Sequence, residues 1–169
     1  HKLSNGICSL NPGVERLAIS CVMEVDQNGK TVDYQIFESV IKSRIQMTYK
    51  KVNQVIEKNE IPDGYEPYVQ KLKLMDELSK IIRKNKENRG YIDFDVDEAK
   101  ILVDEKCHPT DVILRSRGTG ENLIEDFMIQ ANECVATHIF YMDLPFIYRI
   151  HEYPKEEKIR DFISFVQSL

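Results

Sequence analysis

Apolar residues recur along this chain at two spacings, every second position in some stretches and every third or fourth in others, which predicts strands and helices respectively. Leu17 to Val25 is an apolar run of β-branched and small residues, followed by Asp26-Gln27-Asn28-Gly29-Lys30 and then Thr31 to Val40. Asn28-Gly29 between two such runs predicts a β-hairpin. Thr48 to Lys58 places Tyr49, Val52 and Ile56 on one helical face, and Pro62-Asp63-Gly64 breaks the pattern. From Glu66 to Asn88 the spacing predicts a longer helix, with Val69, Leu72, Met75, Leu78, Ile81 and Ile82 inward and charges outward. Its basic end, Arg83-Lys84-Asn85-Lys86, reads as a solvated helix C-terminus that Gly90 can stop.

Ile92, Phe94 and Val96 alternate with Asp93, Asp95 and Asp97, the period of a half-buried strand. Leu102 to Glu105 and Val112 to Arg115 read as a second hairpin around Lys106-Cys107-His108-Pro109-Thr110. Gly118 and Gly120 then mark a turn, Thr119 is an eligible helix cap, and Leu123, Ile124, Phe127, Met128 and Ala131 repeat at helical spacing to about Met142. Glu125 and Asn132 lie about two turns apart, on the side facing away from that stripe. Pro145 to His151 reads as a short strand. Pro154 reads as the start of a last helix, with Glu156 and Glu157 early and Ile159, Phe162, Ile163 and Val166 as its buried stripe. The expected fold class is α+β, mainly antiparallel β-hairpins with helices packed on one face.

With 169 residues, 42% of them hydrophobic, the chain can bury a core and fits one domain or part of one. No apolar run is long enough to span a membrane and no signal-peptide pattern is present, so the expected location is cytoplasmic. The formal net charge of −5 is the wrong sign for autonomous nucleic-acid binding, which needs clustered lysine and arginine. Cys8, Cys21, Cys107 and Cys134 show no close pairing and read as free thiols. Cys107-His108 lacks two further ligands for a zinc site, and His1, His138 and His151 are scattered. Asp93, Asp95 and Asp97 could attract a divalent cation, but alternate strand positions lie roughly 6.5 Å apart and do not converge on one ion. They read as a solvated acidic face, leaving no metal ligand or catalytic residue assigned within the chain.

Three blocks carry a resemblance: Leu3-Ser4-Asn5-Gly6-Ile7-Cys8-Ser9-Leu10, Arg89-Gly90-Tyr91-Ile92-Asp93-Phe94, and the stretch from Arg117 through Gly118-Thr119-Gly120-Glu121-Asn122-Leu123-Ile124-Glu125-Asp126 to Glu133. In that order they resemble the catalytic RNB domain of the ribonuclease II and ribonuclease R family, the ribonuclease R branch more closely. The resemblance runs from Leu3 to about Leu169. It implies a processive 3′-to-5′ exoribonuclease that hydrolyses single-stranded RNA to nucleoside 5′-monophosphates with Mg²⁺. It also implies that residues 1–169 are an internal segment of one such domain. The family's metal-binding aspartates would lie upstream and its phosphate-binding arginine downstream, so that Mg²⁺ is held outside this segment. Alone, the segment is expected to be inactive, with exposed apolar surface through which it can self-associate. The alternative is a non-catalytic RNA-binding or assembly module of the same family.

Within the segment the resemblance implies three RNA-binding residues. Phe94 matches a phenylalanine that stacks on bases near the RNA 3′ end; its alternation with Ile92 and Val96 taken alone favours a core position, and the resemblance reverses that reading. Tyr49, in Met47-Thr48-Tyr49, and Glu125, in Leu123-Ile124-Glu125, match residues near the terminal sugar-phosphate backbone, where phenol and carboxylate can meet a 2′-hydroxyl. Without the resemblance, Tyr49 is a helix residue with a buried ring and Glu125 a first-turn glutamate favoured by the helix dipole. The family often carries arginine where this chain has Asn122, and no role passes to that residue.

Overall fold

A computed structural model describes residues 2–93, 98–115 and 117–168. It divides into two compact units, residues 1–135 and 136–169. In the first, a short helical turn at Leu3–Ile7 precedes strands β1 (Glu15–Val25) and β2 (Thr31–Lys42). Helices α1 (Tyr49–Lys58) and α2 (Val69–Asn88) follow, then strands β3 (Glu98–Val103) and β4 (Pro109–Arg115), and most of helix α3 (Thr119–Tyr141). β1 pairs antiparallel with β2, Cys21 opposite Ile36, and β3 pairs antiparallel with β4, Ile101 opposite Val112. The α+β expectation with antiparallel hairpins therefore holds, as do both predicted hairpins and the three helices of this unit.

The first hairpin closes through Asp26, whose carboxylate accepts the backbone N–H groups of Asn28 and Lys30 at 2.9 Å each. These bonds, Lys30 first, hold its carboxyl below the usual aspartate range. Gly29 takes φ +76° and sits so close to α2 that an added Cβ would lie 2.6 Å from the Ile81 carbonyl oxygen. Asn85 Nδ2 donates to the Asn28 carbonyl at 2.8 Å, docking the turn on the helix.

Thr48 caps α1, its hydroxyl accepting the Lys51 N–H at 3.4 Å. Asn59, at φ +54°, ends the helix in the left-handed region that asparagine tolerates. Val52, Val55, Tyr65 and Leu72 form a buried cluster where α1 meets α2. Along α2 the buried positions are Leu72, Asp76, Ser79, Ile82 and Lys86, so three polar residues share the stripe expected to be apolar, while Ile81 is exposed. Residues 94–97, including Phe94, Asp95 and Asp97, lie outside the described residues, and with them the core of the predicted 92–96 strand.

The second unit holds the end of α3 and helix α4 (Glu156–Gln167). Residues 144–155 form neither strand nor helix, which corrects the strand expected over Pro145 to His151. A strand needs a hydrogen-bonded neighbour, none is described in this unit, and Pro145 has no N–H to give. α4 begins two residues after Pro154, with Lys155 as its cap. Its expected buried stripe, Ile159, Phe162, Ile163 and Val166, is exposed. Among the described residues no helix is long and apolar enough to cross a membrane.

Candidate nucleic-acid interface

Tyr49 opens α1 with its side chain 42% exposed, which corrects the buried ring that helical spacing alone suggests. It lines an apolar pocket of about 380 Å³ together with Met47, Val52, Tyr68, Leu123 and Ile124. α1 also supplies two of the three groups that hold the start of α3, the third being Glu121 of α3 itself. Glu57 Oε1 accepts the Thr119 N–H at 2.8 Å, Asn53 Oδ1 accepts the Gly120 N–H at 2.6 Å, and Glu121 Oε2 accepts the Gly118 N–H at 3.2 Å. The Thr119 hydroxyl donates to Glu57 instead of capping its own helix. Gly118 precedes the helix as its cap, its carbonyl accepting the Asn122 N–H. An added Cβ at Gly118 would collide with the Asn53 side chain, and one at Gly120 would stand 2.9 Å from Asn53 Oδ1. Glycine at both positions therefore lets two helices approach closely. With these N–H groups bonded to protein acceptors, the helix start does not present them to a phosphate.

Successive helical residues point about 100° apart, and the two acids that follow Ile124 face different surroundings. Asp126 is completely buried and accepts from Ser79 Oγ at 2.8 Å, Arg83 Nε at 3.0 Å and Lys86 Nζ at 2.9 Å. Two cations around one buried carboxylate leave positive charge over, and acids at the edge of the network offset it. Asp93 accepts from Arg83 Nη1 at 2.9 Å, and Glu125 Oε1 lies 3.8 Å from Lys86 Nζ. Arg83 is held more firmly protonated than an ordinary arginine; burial opposes this, but the Asp126 hydrogen bond and charge outweigh it. Arg83 and Lys86 are therefore not the solvated helix end that the basic run suggests.

α2 stops in a way that adds a second partner to Glu125. Arg89 is the C-cap, Gly90 at φ +94° donates to the Glu87 carbonyl at 2.9 Å, and Tyr91 N–H donates to the Lys86 carbonyl at 3.1 Å. That glycine-terminated turn sets the Tyr91 ring against the helix end, with Lys86 Nζ 4.0 Å from its centroid. The Tyr91 hydroxyl donates to Glu125 Oε1 at 3.4 Å, and Arg117 Nη1 approaches Glu125 Oε2 at 3.5 Å.

Tyr49 and Glu125 thus flank neighbouring faces of the first turns of α3, and no hydrogen bond joins them. Phe94 lies outside the described residues. The residues that sequence reasoning missed are Asp126, Ser79, Lys86 and Tyr91. The signal was present for the first three, since Asp126 follows Leu123 by three, and Ser79 and Lys86 fall in phase with Leu72 on α2. Among the described residues no group of three or more histidine, cysteine, aspartate or glutamate side chains could hold a metal ion. Asp93 faces Arg83, and Asp126 is enclosed by its cations. The donor set of the described residues therefore does not fit a divalent cation. Burial, together with a hydrogen bond to Cys21, pushes the Cys134 thiol up to about 11.

The RNB domain family matches residues 1–169. Ribonuclease R 1 of Lactococcus lactis is 49% identical over 165 residues, covering 97% of this chain and 20% of that protein. Ribonuclease R of Thermotoga maritima is 41% identical over 169 residues, covering 99% of this chain and 24% of that protein. Mycoplasma genitalium RNase R, solved in complex with ribose methylated single-stranded RNA, superposes with a TM-score of 0.92 at 30% identity, covering 99% of this chain and 26% of the solved one. The chain thus spans about a fifth to a quarter of the length of these relatives.

Proposed function

Since the chain belongs to the RNB domain family, we propose that the protein containing it is a 3′-to-5′ exoribonuclease that degrades single-stranded RNA processively to nucleoside 5′-monophosphates in the cytoplasm. Residues 1–169 serve as one wall of its RNA path, and the Mg²⁺ that the reaction uses is held by residues outside them. The similarity to ribonuclease R proteins over nearly the whole chain supports the activity. The observation that carries the local reading is the pairing of an exposed phenol, Tyr49, beside an apolar pocket with a carboxylate, Glu125, held at the edge of a charged network. An apolar floor suits a base or ribose face, and the polar groups suit the sugar hydroxyl. Phe94 contributes by stacking, a sequence-tolerant contact of about 1 to 3 kcal/mol per base.

RNA and DNA differ at the 2′-hydroxyl, so a site built around that group disfavours a substrate lacking it. In the full-length protein, Tyr49→Phe combined with Glu125→Ala is expected to narrow the ratio of kcat/KM between matched RNA and DNA oligonucleotides by roughly ten- to a hundredfold, the range of a hydrogen bond to a charged group. The double change is expected to exceed either single one. A folded double variant that keeps the full RNA preference would show that these residues do not read the sugar.

A further inference from the structure

A carboxylate that reads a hydroxyl must be ionised and aimed, yet a glutamate on a helix surface has three rotatable bonds and no reason to hold one direction. Glu125 has three polar neighbours, at 3.4 Å (Tyr91), 3.5 Å (Arg117) and 3.8 Å (Lys86). Lys86 and Tyr91 both act on Oε1, and Arg117 acts on Oε2. Each carboxylate oxygen can accept two hydrogen bonds, so Oε2 keeps capacity for an incoming hydroxyl. Lys86 cannot swing away, because its ammonium is bonded to the buried Asp126. Tyr91 cannot either, because the glycine-terminated end of α2 fixes its backbone and the Lys86 ammonium lies over its ring. The sequence places these parts far apart, Tyr91 being 34 residues from Glu125.

We propose that Tyr91 is a positioning residue that, with the Lys86 ammonium over its ring, aims the Glu125 carboxylate at the ribose 2′-hydroxyl and so sets how strongly RNA is preferred over DNA. Tyr91 acts through Glu125 and does not itself touch the substrate. Burial pushes its phenol above the ordinary tyrosine range, so it remains a donor at neutral pH. The proposal rests on the sugar-reading role given to Glu125, and the two can fail separately.

The test compares the full-length wild type, Tyr91→Phe, Glu125→Ala and the double variant on one oligonucleotide made as RNA and as DNA. Tyr91→Phe keeps the ring, its packing and the contact with Lys86, so the melting temperature is expected to stay unchanged. The RNA:DNA ratio of kcat/KM is expected to fall roughly three- to tenfold, the range of one neutral-donor hydrogen bond. In the Glu125→Ala background Tyr91→Phe is expected to change nothing further, because its target is gone. If Glu125→Ala lowers the ratio while a stably folded Tyr91→Phe leaves it intact, the positioning role is wrong and the sugar-reading role stands. If Tyr91→Phe lowers the ratio equally in both backgrounds, Tyr91 acts independently of Glu125 and the proposal is overturned. If Glu125→Ala leaves the ratio unchanged, the sugar-reading role falls and takes the proposal with it.

Discussion

Asp126 is the residue on which the α2–α3 contact turns, because removing one partner of a buried charge pair costs more than the pair itself contributes. Asp126→Ala would leave Arg83 and Lys86 facing each other without their shared anion, and the expected loss is about 3 to 5 kcal/mol of stability. Asp126→Asn keeps an acceptor for Ser79 but no charge, and should fall between. Urea denaturation of the chain carrying each substitution measures both; a loss below about 1 kcal/mol for Asp126→Ala would mean that the cations reach water once freed. This network also marks where the sequence stopped being legible. Glu125 stood out as a polar position on the α3 face, but Arg83 and Lys86 read as solvated charge, since a basic run looks the same whatever lies across from it. The partner that decides the matter is 40 residues away from Lys86 and 43 from Arg83. Tyr91 gave no signal of its own, because its role depends on where the turn at Gly90 points it.

At the level of elements, helical spacing of apolar residues was enough to place α1, α2 and α3, and apolar runs on either side of turn residues placed both hairpins, although no described strand residue is buried. The segment from Pro145 to His151 has the composition of a strand and forms none, since composition does not supply a ladder partner. The start of α3 shows a similar limit. Thr119 has the chemistry of a cap, yet the caps come from α1, with Asn53 and Glu57 binding its first N–H groups. Asn53→Ala removes one such acceptor and its bond to Glu121, and should lower stability by about 0.5 to 2 kcal/mol, as for other helix caps. Because Tyr49 of α1 and Ile124 of α3 line one pocket, loosening the α1–α3 contact should also blunt the sugar preference in the full-length protein. Denaturation together with the RNA:DNA ratio tests both; unchanged stability would show that water replaces the Asn53 acceptor without cost.

Across the whole chain, apolar side chains stand exposed in both units: Leu17, Ile19 and Val40 on the first hairpin, and Ile159, Phe162, Ile163 and Val166 on α4. Contiguous exposed apolar surface drives association. This chain by itself is therefore expected to form concentration-dependent oligomers, detected by light scattering during gel filtration; a monomer across the micromolar range would mean that these faces are too scattered to pair. Its chemistry is expected to be silent on its own. Hydrolysis assisted by a divalent ion needs clustered oxygen ligands, and the described residues offer no such group. A net charge of −5 further limits binding to weak contacts that fade with salt. Incubation of end-labelled single-stranded RNA with this chain and Mg²⁺ should leave the RNA intact, while the full-length protein releases mononucleotides. If the full-length protein is equally inert yet binds RNA, the family member is a binding or assembly module and not a nuclease. If this chain alone releases mononucleotides at the full-length rate, its metal ligands lie within residues 1–169. Asp95 and Asp97, outside the described residues, would then be the first to replace by asparagine, and the assignment of the reaction centre to the rest of the protein would be wrong.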